Sequence, residues 1–148
     1  RKSVDIYISI ILERKPGWLH RETVSDEIME DNRAEQIEAL QVLEEFNGRL
    51  VKNMEIIVKE LSGERLDDTD QFLKGIIDAI NWEIQVVNST IQVLNDGKVR
   101  VDKESFNADI VALSEAISAK DDAKMAEEFQ RVIPVFKQLG ESVNEVIK

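Results

Sequence analysis

The 148-residue chain contains no cysteine, one histidine, two prolines and no long apolar run, and each of these shortages closes off a class of protein. Without cysteine there is no disulfide framework, thiolate metal site or thiol nucleophile. A chain that folds without such staples fits a reducing interior, so the expected compartment is the cytoplasm. His20 alone cannot supply the paired Glu-x-x-His ligands of a di-iron bundle or the base of a triad. His20-Arg21-Glu22 opens like a deaminase zinc signature, but no cysteine follows to complete it. There is no glycine-rich phosphate loop and no Gly-x-Ser-x-Gly elbow. The expectation is a protein that is not an enzyme, with no catalytic, cofactor-binding or metal-binding residue and no cofactor.

Positive charge is also short. Nineteen Lys and Arg stand against thirty Asp and Glu, a net charge of −11, so most of the surface repels nucleic acid and anionic lipid. Neither is an expected partner. The uncharged run Ile6 to Leu12 is far below the roughly 20 apolar residues that span a bilayer. Asp5 interrupts it, Glu13-Arg14-Lys15 follows, and no small-residue cleavage site completes a signal peptide. The absence of an initiator Met reads as a trimmed or excised chain. The charge is uneven: residues 26 to 45 hold eight acids and one base, whereas residues 1 to 23 hold five bases and three acids. The acidic stretch reads as a solvated face or as a docking face for a basic partner.

What remains is helical periodicity. The breakers Pro16-Gly17, Ser62-Gly63, Asp96-Gly97 and Lys120-Asp121-Asp122 divide the chain into five segments. In the third, Leu73, Ile77, Ile80, Ile84, Val87, Ile91 and Leu94 step by 4 and 3 without exception, predicting one long amphipathic helix that starts near Asp67-Asp68-Thr69 and stops at Asn95-Asp96-Gly97. The second carries Leu40, Leu43, Asn47, Leu50, Met54, Ile57 and Leu61, with Ile37, Val51 and Val58 widening the stripe to bundle width. Its start reads equally from Val24-Ser25-Asp26-Glu27 or from Asn32 with Glu35, so a break near Asp31 is one expectation. The last two segments predict a helical hairpin. Asp102 caps a helix with Phe106, Ile110, Leu113 and Ile117 inside. Asp121 or Asp122 caps another with Met125, Phe129, Val132, Phe136, Leu139 and Val143 inside. Pro134 is expected to kink the final helix and Gly140 to loosen it.

The first segment fits two patterns. Val4, Ile6, Ile8 and Ile10 alternate as in a strand, with Lys98-Val99-Arg100-Val101 as the available partner, while Val4, Ile8 and Ile11 fit a helix; the helical surroundings favour helix. The fold expected is all-α: a single domain over residues 1–148, an antiparallel bundle of four main helices plus a short N-terminal segment. A small acidic helical bundle that ends in a helical hairpin is similar in shape and composition to flagellar and other secretion chaperones of bacteria. That similarity, which no residue motif carries, implies a binding role.

Function is therefore expected to lie in protein–protein contact, with a partner or with a second copy as a homodimer. The alternative is a bundle that binds a small molecule or uses carboxylates between its helices for catalysis. The acids of the sequence avoid every predicted core position, which favours a solvated face. The candidate interaction residues are Ile6, Tyr7 and Ile10, which no single neighbour can cover together; Trp82, off the predicted stripe; and Asn81 and Asn88, which with Asn95 recur every seven residues. Asn47, in a stripe of hydrophobes, reads either as a core residue that fixes register or as a boundary residue beside Phe46.

Overall fold

The computed structural model describes residues 26–148, with side chains described from Arg33 onward. The readings at Ile6, Tyr7, Ile10, Trp18 and His20 lie outside the described residues. Among those described there are four long helices, α1 (Asp26–Leu61), α2 (Thr69–Ser89), α4 (Lys103–Ala119) and α5 (Asp122–Ile147), and one single-turn helix, α3 (Ile91–Leu94). No strand occurs among them, and residues 98–101 form part of an irregular loop. The all-α bundle is the fold of the chain.

Helix boundaries follow local chemistry. The two candidate starts near Asp26 and Asn32 belong to one unbroken helix, and α1 ends where Gly63 takes a φ of 122°. The start of α2 is fixed by Thr69 rather than by an aspartate cap. Its hydroxyl donates to the Glu60 carboxylate at 2.7 Å and accepts the Leu66 N–H at 2.8 Å, which ties the end of α1 to the start of α2. The predicted single helix to Leu94 is interrupted at Thr90, whose hydroxyl donates to the Val86 carbonyl at 2.6 Å; this back-bonding commonly bends a helix. The Asp102 carboxylate accepts the Ser105 N–H, and the Asp121 carboxylate accepts those of Ala123 and Lys124, as expected of N-caps. Lys120, at φ 55°, makes the tight left-handed turn between α4 and α5. Helix α5 continues through an exposed Pro134.

The topology is antiparallel throughout. Phe46 meets Trp82 and Arg33 meets Asp96 between α1 and the α2–α3 arm. Asn47 meets Phe136, and Arg65, just past α1, meets Asp122. Phe106 meets Phe136 and Asp109 meets Arg131 between α4 and α5. Helices α1 and α5 form the central pair, α2 leans on α1 and α4 on α5, and the fourth edge, between α2 and α4, is the sparsely packed one. The core is built from Leu40, Leu43, Leu50, Met54 and Ile57 of α1 with Phe129, Val132 and Phe136 of α5, all essentially inaccessible to water.

On α2 the inward line differs from the one predicted. Phe72, Ile76, Ala79, Ile80, Glu83, Val86 and Val87 are buried, while Ile77, Ile84 and Ile91 are only half-buried at one side. The expectation that acids stay out of the core is thus wrong at two positions. Glu60 is buried against Thr69, and Glu83 lies at the centre of α2's inner face.

Candidate functional site

Midway along the bundle the three packed helices α1, α2 and α5 each place a polar or small residue inside. From α1 come Phe46 and Asn47, adjacent in sequence and therefore about 100° apart around the helix, so that they serve two different neighbours. Phe46 turns to α2, where its ring meets Trp82 edge-on, with centroids 5.6 Å apart and planes at 89°. Asn47 turns to α5, where its Nδ2 donates to the Phe136 carbonyl at 2.9 Å. Both residues are buried, so Asn47 is the core residue of the first sequence reading, and the reading that put it at the boundary beside Phe46 is corrected. Trp82 is a core residue, not an outward-facing contact, and its Nε1 has no hydrogen-bond partner among the described residues.

The Asn47 contact depends on Gly140. A Cβ added at Gly140 would stand 2.9 Å from Asn47 Nδ2, closer than real contacts allow. Gly140 thus leaves room for the Asn47 side chain between α1 and α5. Gly140→Ala is expected to destabilise the fold by about 1 kcal/mol, since overpacking costs of ~1–3 kcal/mol exceed the ~1 kcal/mol gained in helix propensity. In an Asn47→Ala background the same substitution should become stabilising by about 1 kcal/mol, because only the propensity remains. Urea unfolding of the four proteins measures this, and the absence of a sign reversal would show that something other than the Asn47 amide resists the methyl group.

Glu83 is the most unusual group in the molecule. It is 0 % exposed, neither carboxylate oxygen has a hydrogen-bond partner among the described residues, and burial pushes its pKa well above the usual carboxylate range. Buried, perturbed acids of this kind mark functional sites more often than chance, although catalysis needs a second group in reach. Among the described residues, no group of three or more His, Cys, Asp or Glu side chains is arranged to hold a metal ion.

A second feature lies on the sparsely packed edge. Ile77, Asn81, Ile84 and Asn88 step by 4 and 3 along one side of α2, with Ile91 at the start of α3 continuing the spacing, and Asn107, Ile110, Ser114 and Ile117 step by 3 and 4 along the facing side of α4. The Asn107 Nδ2 donates to the Asn88 side-chain Oδ1 at 3.5 Å and pins one end of this antiparallel pair. Counted from there along an antiparallel pair, Ile84 falls near the level of Ile110 and Ile77 near that of Ile117. All four isoleucines are partly buried, Asn81 is exposed, and Val111 beside them is 55 % exposed.

The three asparagines spaced by seven do three different things. Asn81 faces solvent, Asn88 meets Asn107, and Asn95 organises the loop after α3: its Oδ1 accepts the Arg100 and Val101 N–H groups and its Nδ2 donates to the Val101 carbonyl, each at 2.9 Å. Arg100 closes the same loop by donating to the Leu94 and Asp96 carbonyls. Lys98, together with Arg100, also holds the Glu145 carboxyl below its ordinary pKa range. At the opposite end of the bundle an open cleft is lined by Leu61, Asp122, Gln130 and Arg65, which grips both Asp122 oxygens at 2.6 and 3.0 Å.

Fold and site together define an acidic, antiparallel four-helix bundle with a carboxylate in its core and one half-open apolar edge. Residues 38–142, from the middle of α1 to the last turns of α5, match the family described as a domain of unknown function, DUF8042, and the chain belongs to that family. No match is found among curated proteins or among solved structures. Among the described residues, no helix is long and apolar enough to cross a membrane.

Proposed function

We propose that this bundle is a non-catalytic binding domain whose α2–α4 edge accepts an amphipathic, apolar protein segment. The observation that carries the reading is the pair of stripes Ile77–Ile84 and Ile110–Ile117 on two helices that pack only sparsely against each other. An amphipathic segment laid along such an edge buries apolar surface on both sides, while the amides of Asn81, Asn88 and Asn107 offer hydrogen bonds that fix its register. Exposed charges of both signs stand near the two ends of the edge: Lys103 and Glu104 of α4 one turn before Asn107, and Lys74 and Asp78 of α2 with Glu115 of α4 toward Ile77 and Ile117. A binding role is also what the architectural similarity to bacterial export chaperones implies.

The test is selection of helical peptides from a display library on the intact chain, followed by mapping of the bound site through amide chemical-shift changes. Selected peptides should perturb residues 77–91 and 107–117, and Ile84→Glu should weaken their binding by roughly thirtyfold, the effect of removing one interface anchor. Peptides that map to another face, or that bind Ile84→Glu unchanged, would refute the edge as the binding site.

A further inference from the structure

We infer that Glu83 is a proton-held latch: the packed bundle is the state in which its carboxyl keeps a proton, and loss of that proton parts α2 from α4 and admits water to the inner face of α2. Three observations support the device.

The first is that nothing is placed to hold a charge on this side chain. Glu83 lies at the centre of the inner face of α2, 0 % exposed, with neither oxygen in a hydrogen bond among the described residues. An isolated carboxyl group in such surroundings stays neutral unless water or a cation reaches it. Trp82 meets Phe46 of α1, Asn47 meets the Phe136 carbonyl of α5, and Asn88 meets Asn107 of α4, which sets the level of Glu83 on each helix. Within about a turn of that level the charged residues are Glu44, Glu45 and Arg49 of α1, Asp109 and Glu115 of α4, and Lys137 of α5. All are exposed or half-buried, most are acids, and Asp109 and Lys137 are in ion pairs with Arg131 and Glu55. Between Asp78 and Asp96, α2 and α3 add no charged residue besides Glu83 itself. Glu60, another buried acid, is at the far end of α1 against Thr69. Burial alone raises the Glu83 pKa, with no neighbouring charge contributing.

The second is that the packed state leaves other groups of the same layer unmet. Trp82 Nε1 and Asn47 Oδ1 are also buried without partners among the described residues. Water admitted here satisfies a donor and an acceptor as well as the carboxylate, which lowers the cost of opening.

The third is the route. Helix α2 is tied to α1 by the Phe46–Trp82 ring contact and the Thr69–Glu60 hydrogen bond, and to α4 by the Asn107–Asn88 hydrogen bond, at 3.5 Å. Around α2, Ile80 and Val87 stand between Glu83 and the half-buried Ile84 of the sparse edge. Parting α2 from α4 therefore brings water within one side chain of the carboxyl group. The opened chain releases the proton above the ordinary glutamate range, whereas the packed bundle keeps it until pH passes the raised value. Between those two limits each pH unit favours opening about tenfold, and below them pH has no effect through this group.

Amide hydrogen exchange of the full chain from pH ~5 to ~7, corrected for the exchange rate of an unstructured chain, tests the latch. The amides of Ile80, Ile84 and Val87 should be less protected than those of Leu50 and Val132 in the α1–α5 pair, and should lose protection about tenfold per pH unit. Glu83→Gln and Glu83→Leu, neither of which can ionise, should both remove that pH dependence. Equal protection of α2 and of the α1–α5 pair at every pH would tie Glu83 to global unfolding only and overturn the inference, as would a pH dependence that persists in the variants. A second measurement needs no variant to fold well. In wild type labelled at its glutamate carboxyl carbons, one resonance should keep its protonated position at pH ~6, where exposed glutamates are ionised. Titration of every glutamate together would overturn the latch. Library peptides that map to the edge without any loss of α2 protection would leave the proposed function standing and remove the latch; loss of protection with no peptide at the edge would do the reverse.

Discussion

Phe129→Ala is expected to cost about 3–5 kcal/mol of stability, the range for truncating a fully buried aromatic ring. Phe129 is 0 % exposed and sits on the face of α5 that packs on α1, the most extensive helix pair in the molecule. A domain of this size is stable by only about 5–15 kcal/mol, so the substitution removes a large share of the total and should lower the melting temperature by roughly 10 °C. Phe136→Ala belongs to the same range with an additional loss, because its ring also meets Phe106 of α4 with centroids 5.7 Å apart. A double-mutant cycle between Phe106 and Phe136 should yield a coupling of about 0.5–1.5 kcal/mol. Thermal and urea unfolding followed by far-ultraviolet circular dichroism measure all three. A loss below about 1 kcal/mol at Phe129 would mean that α5 does not present this face to α1, and the helix register would have to be redrawn.

The α1 and α5 stripes are legible in the sequence because each of these helices has one dominant neighbour, and a helix with one neighbour shows one clear apolar face. The six residues Met125 to Val143 predicted for α5 are all buried, and the line from Leu40 to Leu61 on α1 is buried along its length. Helix α2 is legible as a helix but not in its orientation. Its isoleucines make an unbroken stripe, yet the helix is rotated so that Phe72, Ile76 and Glu83 face inward and Ile77 and Ile84 fall at the edge. Periodicity finds the widest apolar band and cannot tell which part of it meets a neighbour. Trp82 and Phe46 are buried for the same reason, each lying one residue off a line narrower than the true interface.

Little of the candidate site can be read in advance. Asn47 stands out because it interrupts a run of hydrophobes, and the structure gives it a specific partner in the Phe136 carbonyl. Its dependence on Gly140 involves a residue 93 positions away, and no local pattern announces which glycine meets which side chain. Glu83 gives the wrong signal, since between Trp82 and Ile84 a glutamate reads as the solvated flank of the stripe. Only the rotation of α2 brings it inside. The facing of α2 and α4 at Asn88 and Asn107 likewise follows from the topology, not from the spacing of either helix alone.

That buried carboxylate sets up the other large effect, Glu83→Leu, which should make the protein more stable. An unpartnered acceptor in the core costs about 1–3 kcal/mol, more when charged, and leucine fills a similar volume without that cost. The melting temperature at neutral pH should rise by roughly 2–10 °C. The pH dependence identifies the cause. Because burial raises the folded-state pKa of Glu83, the folded protein holds a proton there that the unfolded chain releases above the ordinary glutamate range, near 4.5. The proton-linked part of the penalty is therefore absent below that range, grows as pH rises through it, and levels off only once pH passes the raised folded value. Asp122 and Glu145, whose carboxyls are held low by Arg65 and by Lys98 with Arg100, change stability in the opposite sense, and they do so equally in wild type and variant. The difference between the two proteins isolates Glu83. It should be smallest near pH ~4 and widen steadily toward pH ~7, and Glu83→Gln, which cannot ionise, should follow the pH dependence of the leucine variant rather than that of wild type. A difference that stays constant with pH would mean that Glu83 remains ionised in the fold and has a partner. A leucine variant that loses stability would mean that the carboxylate is held by contacts the protein needs, and that the core polar layer is part of its working site.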